Sequence, residues 1–412
     1  MDGRYKMKKT LWTGDFSRIT IATVLSAIGG EAMNLPLSLL VFQETQSTLL
    51  AAILLVCGML PDIVLPVLIA PIIDRGQKKR WIVGLDFLLA VVYFMMAYWI
   101  ATHSFQYGLY LFFTLVVGTI SVSYSLAYQA LYPSLITKGM EQKGYAVSST
   151  IYPTVVVVVA PIATFLYEHV EMHHIFILVA MLSILSVLVE SGIREMQVVS
   201  EEKYGLMEYL RDIKEGFTYI KQEKGIRNIY TYMSITNGAS NGIGTLTQAF
   251  YQTQGWLTVT MLGFLKSAEM VGRMLGGMLQ YRMEIPVKRR FAFTKMVYTV
   301  YDLMDSFLLF MPYPFMVINR FACGGLGVCS ATIRQAAVQS YLPDRMRARI
   351  SAFFSVVTAL GGVLFQLIAG FLGEWLPYRV AALLLGLFTF ASMLVFIVVP
   401  GKENSRVYNY EA

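Results

Sequence analysis

The stretch Pro61 to Asp86, PDIVLPVLIAPIIDRGQKKRWIVGLD, decides the fold. An apolar run stops at Asp74-Arg75-Gly76-Gln77-Lys78-Lys79-Arg80, and a second apolar run begins at Trp81. Four cations between two hydrophobic segments cannot lie in hydrocarbon, so they read as a tight loop joining two membrane helices on the cytoplasmic face. Composition agrees. Of 412 residues 56% are hydrophobic and 14% charged, with a mean hydropathy of +0.57. A soluble domain carries about 25% charged residues. The net charge of +7 is then explained by loop cations beside anionic lipid, and no nucleic-acid partner is expected.

A membrane helix needs about 20 mostly apolar residues. Twelve such spans are expected, at 17–43, 49–72, 81–101, 105–131, 145–168, 173–193, 228–252, 256–280, 291–311, 314–338, 350–374 and 378–399. With the N-terminus inside, 28 of the 33 Lys and Arg residues fall in inside loops and tails, whereas the outside loops hold only Arg379. This sorting predicts that both termini are cytoplasmic. Arg4, Lys6, Lys8 and Lys9 lead into a span too long for the core of a cleavable signal peptide. In the middle loop Leu206, Leu210, Ile213, Phe217 and Ile220 recur at helical spacing, which predicts an amphipathic helix at the inner membrane surface. The expected organisation is a six-helix half at 1–193, a cytoplasmic linker at 194–227, and a second six-helix half at 228–412 ending in a short cytoplasmic tail.

The two halves repeat. FQETQSTL from Phe42 returns as FYQTQGWL from Phe250, and Gly118 and Gln129-Ala130 return as Gly324 and Gln335-Ala336. Polar residues stand at helical spacing in four spans. They are Ser26, Gly30, Asn34 and Ser38, with Glu31 beside them; Thr114, Gly118, Ser121, Ser125 and Tyr128; Asn237, Asn241 and Gln248; and Arg320, Gly324, Gly327 and Arg334. Such stripes line an aqueous path or glue helices together. Glu31 sits mid-span with no cation near it in sequence, so a neutral acid able to carry a proton is expected. Asp62 is a similar but flanking case. Lys266, Glu269 and Arg273 share a face of the eighth span, and Asp302 and Asp305 a face of the ninth, which reads as an ion network. Asp305 and Arg320 fall at one depth on either side of the Pro312–Pro314 turn, with Lys266 competing for the aspartate.

The Asp74 loop resembles the loop between helices 2 and 3 of the major facilitator superfamily, roughly G-x-L-a-D-R-x-G-R-K. Asp74, Arg75, Lys78 and Lys79 match, while Ala70 replaces a glycine and Gly76 sits early. Glu215 to Ile220, EGFTYI, resembles the macrolide-efflux-like branch. The resemblance spans nearly the whole chain. It implies an all-α membrane protein of twelve transmembrane helices in two six-helix halves (the MFS fold), with spans 1, 4, 7 and 10 lining a cavity. Substrate candidates are then Glu31, Asn34, Ser121, Ser125, Tyr128, Asn237, Asn241, Gln248 and Arg320. Coupling candidates are Glu31, Asp62, Glu269, Asp302 and Asp305. Asp74, Arg75, Lys78, Lys79 and Arg80 would form a conformational latch that Asp86 joins. The fifth span departs from the glycine-rich pattern of drug–proton antiporters, keeping Pro161 but replacing the glycines with Val156, Ala160, Ala163 and Thr164.

The function expected is secondary transport of a small organic solute across the cell membrane, in the export direction, by a monomer with protons as the candidate coupling ion. Import or facilitation on the same fold, and a non-transporting scaffold or sensor, are the competing readings. No cofactor, metal or enzyme chemistry is expected. Gly238 to Gly242 fits G-x-S-x-G but lacks the strand–turn–helix setting that pattern needs. The pair His173-His174 is a weak metal signal in a solvated loop, and no Walker A motif occurs.

Overall fold

The computed structural model describes residues 10–75, 77–194, 206–282 and 285–410. Among these there is no strand. Fourteen helices follow one another. They are α1 (Gly14–Thr45), α2 (Thr48–Arg75), α3 (Lys78–Thr102), α4 (Tyr107–Leu135), α5 (Glu141–His169), α6 (Met172–Ser191), α7 (Leu206–Gln222), α8 (Lys224–Thr253), α9 (Val259–Arg282), α10 (Arg290–Phe307), α11 (Tyr313–Tyr341), α12 (Asp344–Trp375), α13 (Tyr378–Met393) and α14 (Gly401–Tyr408).

Eight of the described helical segments are long and apolar enough to cross a membrane. They belong to α1, α3, α4, α5, α6, α11, α12 and α13 with its π-helical continuation, while α2 qualifies only as a shorter apolar piece, Thr48–Ile63. The expected spans 228–252, 256–280 and 291–311 therefore form helices without meeting that measure. The reason is local. α8 is rich in Asn, Ser, Thr and Gly, α9 carries Lys266, Glu269 and Arg273, and α10 has 18 residues including Asp302 and Asp305. Many of these polar side chains face protein, not lipid.

Packing divides the chain. α1 lies against α5 and α6, α3 against α4 and α6, and α2 against α4. In the second group α8 lies against α12 and α13, α9 against α11, and α10 against α11 and α13. The groups meet through α5 with α9 and α2 with α12. α9 and α11 approach so closely that a Cβ on Gly272 would stand 1.9 Å from the Phe321 carbonyl oxygen, which only glycine permits.

The apolar core shows where the groups are joined. One cluster runs from Leu35 and Leu39 of α1 to Leu246 and Phe250 of α8 and Phe365 of α12, spanning both groups. Two others are each confined to one group. One is built on Phe16, Ile82 and Tyr132, the other on Tyr232, Tyr298 and Tyr408. The bundle is thus sealed at the end that carries Gln46, Gln254 and Leu376.

The C-terminal segment, expected as a tail, is instead ordered as α14. Its Asn404, Val407 and Tyr408 are buried, and the Tyr408 hydroxyl lies 2.9 Å from that of Tyr298. Asn409 accepts the Phe291 amide at 3.0 Å, tying the segment to the start of α10. α7 forms where the middle-loop periodicity places a helix. Its Ile220 is buried against the second group, while Phe217 remains half exposed beside Phe353.

Candidate functional site

A cavity of about 1090 Å³ lies between the two groups. α1 supplies Ser26, Asn34 and Ser38, α4 supplies Thr114, Ser121 and Tyr124, and α8 supplies Asn237, Asn241 and Gln248. Spacings within each set are three, four, seven or eight residues, so one helical face of each element turns inward. Asn34, Ser121, Asn237 and Asn241 are exposed although they stand mid-helix, because what they face is the cavity. Arg320 is the contribution of α11, and Glu269 and Arg273 of α9 also reach the wall.

Ser125 and Tyr128 are not in this wall. α4 has 29 residues, and its inward stripe runs on past the cavity towards the unsealed end. There the Tyr128 hydroxyl lies 3.4 Å from that of Ser148, and Ser125 accepts from Gln129 at 3.1 Å. Asp62 is exposed on α2 and outside the wall.

The charges form pairs that sequence only partly foretold. Inside the second group, Arg320 Nη2 donates to Asp305 Oδ1 and, at 2.9 Å, to Asn319 Oδ1. The other Asp305 oxygen accepts from Ser240 at 2.7 Å. Asp305 therefore takes the Arg320 partner, not Lys266. Asp302 does not reach the cavity; it accepts from Tyr232 at 3.0 Å and Thr236 at 3.4 Å. Arg273 Nη2 donates to Glu269 at 2.8 Å.

Glu31 differs from its expectation. It is not a lone acid in the cavity wall. It is buried behind it, and Lys266 Nζ donates to its Oε1 at 2.6 Å, with the Tyr152 hydroxyl 3.4 Å from Oε2. The partners are 235 residues apart, so no local pattern could have matched them. This ion pair joins the two groups. Lys266 consequently leaves the network proposed for α9.

Asp86 also moves. Expected beside the loop latch, it stands two turns into α3, buried, where it accepts from Ser26 at 3.3 Å and lines the cavity. At the loop itself Lys78 is buried and Arg80 exposed, with Lys79 between these extremes. The side chains of Asp74 and Arg75 lie outside the described residues.

Two carboxylates that sequence reasoning missed close the sealed end. Glu374, in the last turn of α12, accepts from the Leu49 amide at 2.9 Å, Ser47 Oγ at 2.6 Å and Thr48 Oγ1 at 3.3 Å. Glu168, near the end of α5, accepts from the Val259 amide and Thr260 Oγ1. Each caps the N-terminus of a helix from the opposite group, where amides lack partners and the helix dipole favours an anion. A signal existed. Glu168 and Glu374 are 206 residues apart, the same repeat that relates Gly118 to Gly324. Below them Ser38 donates to Gln248 at 2.8 Å and Gln252 to the Leu39 carbonyl at 3.0 Å.

At the opposite end, the side-chain bonds among the described residues stay within one group. Arg18 donates to the Gly192 carbonyl at 2.7 Å and to Asp15 at 3.2 Å. Arg334 reaches the Tyr298 hydroxyl at 3.4 Å. Away from the cavity, Glu171, His173 and His174 at the start of α6 bring ligand atoms within 4.8 Å of one another, a set that could hold a cation.

Two helical groups thus enclose a cavity that carries polar side chains on both walls and is closed at one end. The Major Facilitator Superfamily model matches residues 19–300 and 303–412, and the chain belongs to that family. Solved structures of similar fold include the nucleoside transporter NupG, at 13% identity and a TM-score of 0.70 over 93% of this chain and 98% of that one. A bacterial homolog of the human lysosomal transporter Spinster, solved inward-facing and unoccupied, gives 13% identity and 0.66, covering 95% and 96%. A POT family transporter bound to 5-aminolevulinic acid gives 12% and 0.67, covering 94% and 96%. At these identities the likeness is one of fold. Among proteins of curated function no sequence match is found.

Proposed function

We propose that this chain is a twelve-span secondary transporter that carries a small organic solute across the plasma membrane by alternating access, as a monomer with both termini cytoplasmic. The observation that carries this reading is the cavity between the halves, polar on both walls and closed at one end by contacts that cross between them. Its volume, about 1090 Å³, suits a small organic molecule, since drug-sized pockets run to about 1,000 Å³. The sorting of cations to one set of loops supports placing the sealed end outside, which makes this form inward-facing. Export is the direction favoured, on the likeness of Glu215 to Ile220 to the macrolide-efflux-like branch. A proton gradient is the candidate driving force. The paired Asn237 and Asn241, with Asn34 and Ser121 opposite, would bind the solute through neutral hydrogen bonds.

The test is uptake and release of a compound panel by reconstituted vesicles, with and without a proton gradient. Accumulation of at least one compound against its gradient is expected. Flux of every compound equal to that of protein-free vesicles would contradict the reading.

A further inference from the structure

The first half holds a second buried acidic site that no pairing described above uses. Asp86 of α3 and Glu190 of α6 are 2% and 0% exposed. Their helices pack against one another, and among the described residues neither takes part in an ion pair. Hydroxyls surround them instead. Ser26 of α1 donates to Asp86 Oδ2 at 3.3 Å and lies 3.3 Å from the Ser186 hydroxyl, one turn before Glu190. Tyr124 of α4 donates to Glu190 Oε1 at 2.7 Å. The other oxygen of Glu190, Oε2, is buried and has no hydrogen-bond partner.

Two cations on the packed elements are committed elsewhere. Arg18 of α1 is taken by Asp15 and the Gly192 carbonyl, and Lys78 at the start of α3 is itself engaged. Two carboxylates without a cation cannot both stay ionised in a low dielectric. A proton on Glu190 Oε2 resolves both problems. It removes one charge, and it spares a buried carboxylate oxygen with no hydrogen-bond partner from carrying that charge. Asp86, Ser26 and Tyr124 line the cavity while Glu190 lies behind them, so the proton has a route to water.

We propose that Asp86 and Glu190 form a proton-binding site in the first half, sharing one proton that enters and leaves through the cavity. If the transport reading is right, this pair and not Glu31 is where the coupling proton binds, since Glu31 already has Lys266. The site itself does not depend on that reading.

Infrared spectra of the purified protein test it, since a protonated carboxyl absorbs apart from a carboxylate. The expected result is a protonated-acid band at neutral pH that bleaches as pH rises. Glu190→Gln should remove one carboxyl's share of that band, while Asp302, also buried with only hydroxyl partners, can keep its own. Asp86→Asn should move the bleach to lower pH by about one unit, because the neighbouring negative charge that holds the proton is gone. Tyr124→Phe, which removes only a hydroxyl donated to Glu190, should move it to higher pH, and it keeps the test open if the carboxyl variants fail to fold. A band untouched by Glu190→Gln, or a midpoint unmoved by Asp86→Asn or by Tyr124→Phe, would overturn the proposal. So would bleaching at constant pH when choline chloride is replaced by sodium chloride, which would mark a sodium site. No solute is needed, so failure here leaves the transport reading untouched, and absence of transport leaves the band to be seen.

Discussion

Two ion pairs near the cavity invite comparison. Arg320 and Asp305 lie within the second half, 15 residues apart in sequence, with side chains 11% and 5% exposed. Lys266 and Glu31 join the two halves across 235 residues, and Lys266 is 25% exposed. The first pair is also wrapped by Asn319 and Ser240, so every partner of these charges lies in the same half. The second pair has one supporting hydroxyl, from Tyr152, and an edge open to water. Within the second half the Arg320–Asp305 pair is enclosed by that half's own side chains. Among the described residues, the side-chain bonds that cross between the halves include the Lys266–Glu31 pair, Ser267 to the Val157 carbonyl, and the contacts around Glu168, Glu374, Gln248 and Gln252. A pair enclosed within one half suits bodies that rock against each other as rigid units.

The largest effect is expected at the internal pair. Arg320→Gln or Asp305→Asn leaves one charge buried without its partner, at a cost of ~3–5 kcal/mol, whereas removing both can be nearly neutral. Thermal stability of the purified single and double mutants decides this. Strict additivity in the double mutant would mean that the two charges do not depend on one another, and the distinction between internal and crossing bonds would lose its firmest case.

A smaller and different effect is expected at the crossing pair. Glu31→Gln or Lys266→Met should take roughly 1.5–3 kcal/mol, the worth of a hydrogen bond to a charged group, from the closed end rather than from the fold. Melting temperature should change little. Labelling of a cysteine at Gln248 by an impermeant thiol reagent applied from the sealed side should rise. A large loss of stability with no gain in labelling would place this pair with the internal one.

The end caps sharpen the comparison further. Glu168→Gln and Glu374→Gln should each weaken the closed end by ~1 kcal/mol, as the loss of a helix cap does. Because each cap ties a different pair of helices, the two losses should add. Unequal effects would show that the repeat in sequence is not a repeat in energy.

The elements themselves were legible because hydrocarbon and helical periodicity leave strong marks. Asn34, Ser121, Asn237 and Asn241 could be singled out because a polar residue every three or four positions in an apolar run has few explanations. Ser125 and Tyr128 show the limit, since a stripe does not announce where the cavity stops. Partners far apart in sequence were illegible. Lys266 looked like part of a local network and Glu31 like an acid with no cation near it, and Glu190 gave no signal, being one acid at the end of an apolar helix. α14 was hidden for another reason. Its buried face consists of Asn404, Val407 and Tyr408, too few apolar residues to stand out from a polar tail.

The central claim is that the halves must separate at the sealed end for solute to cross. It is tested by joining them there. Ser47→Cys with Glu374→Cys replaces a hydrogen bond of 2.6 Å between α12 and the turn that precedes α2. A short thiol-reactive cross-linker applied to this variant in reconstituted vesicles should stop solute exchange, and reduction of the link should restore it. Exchange that continues unchanged with the ends locked together would contradict alternating access at this site.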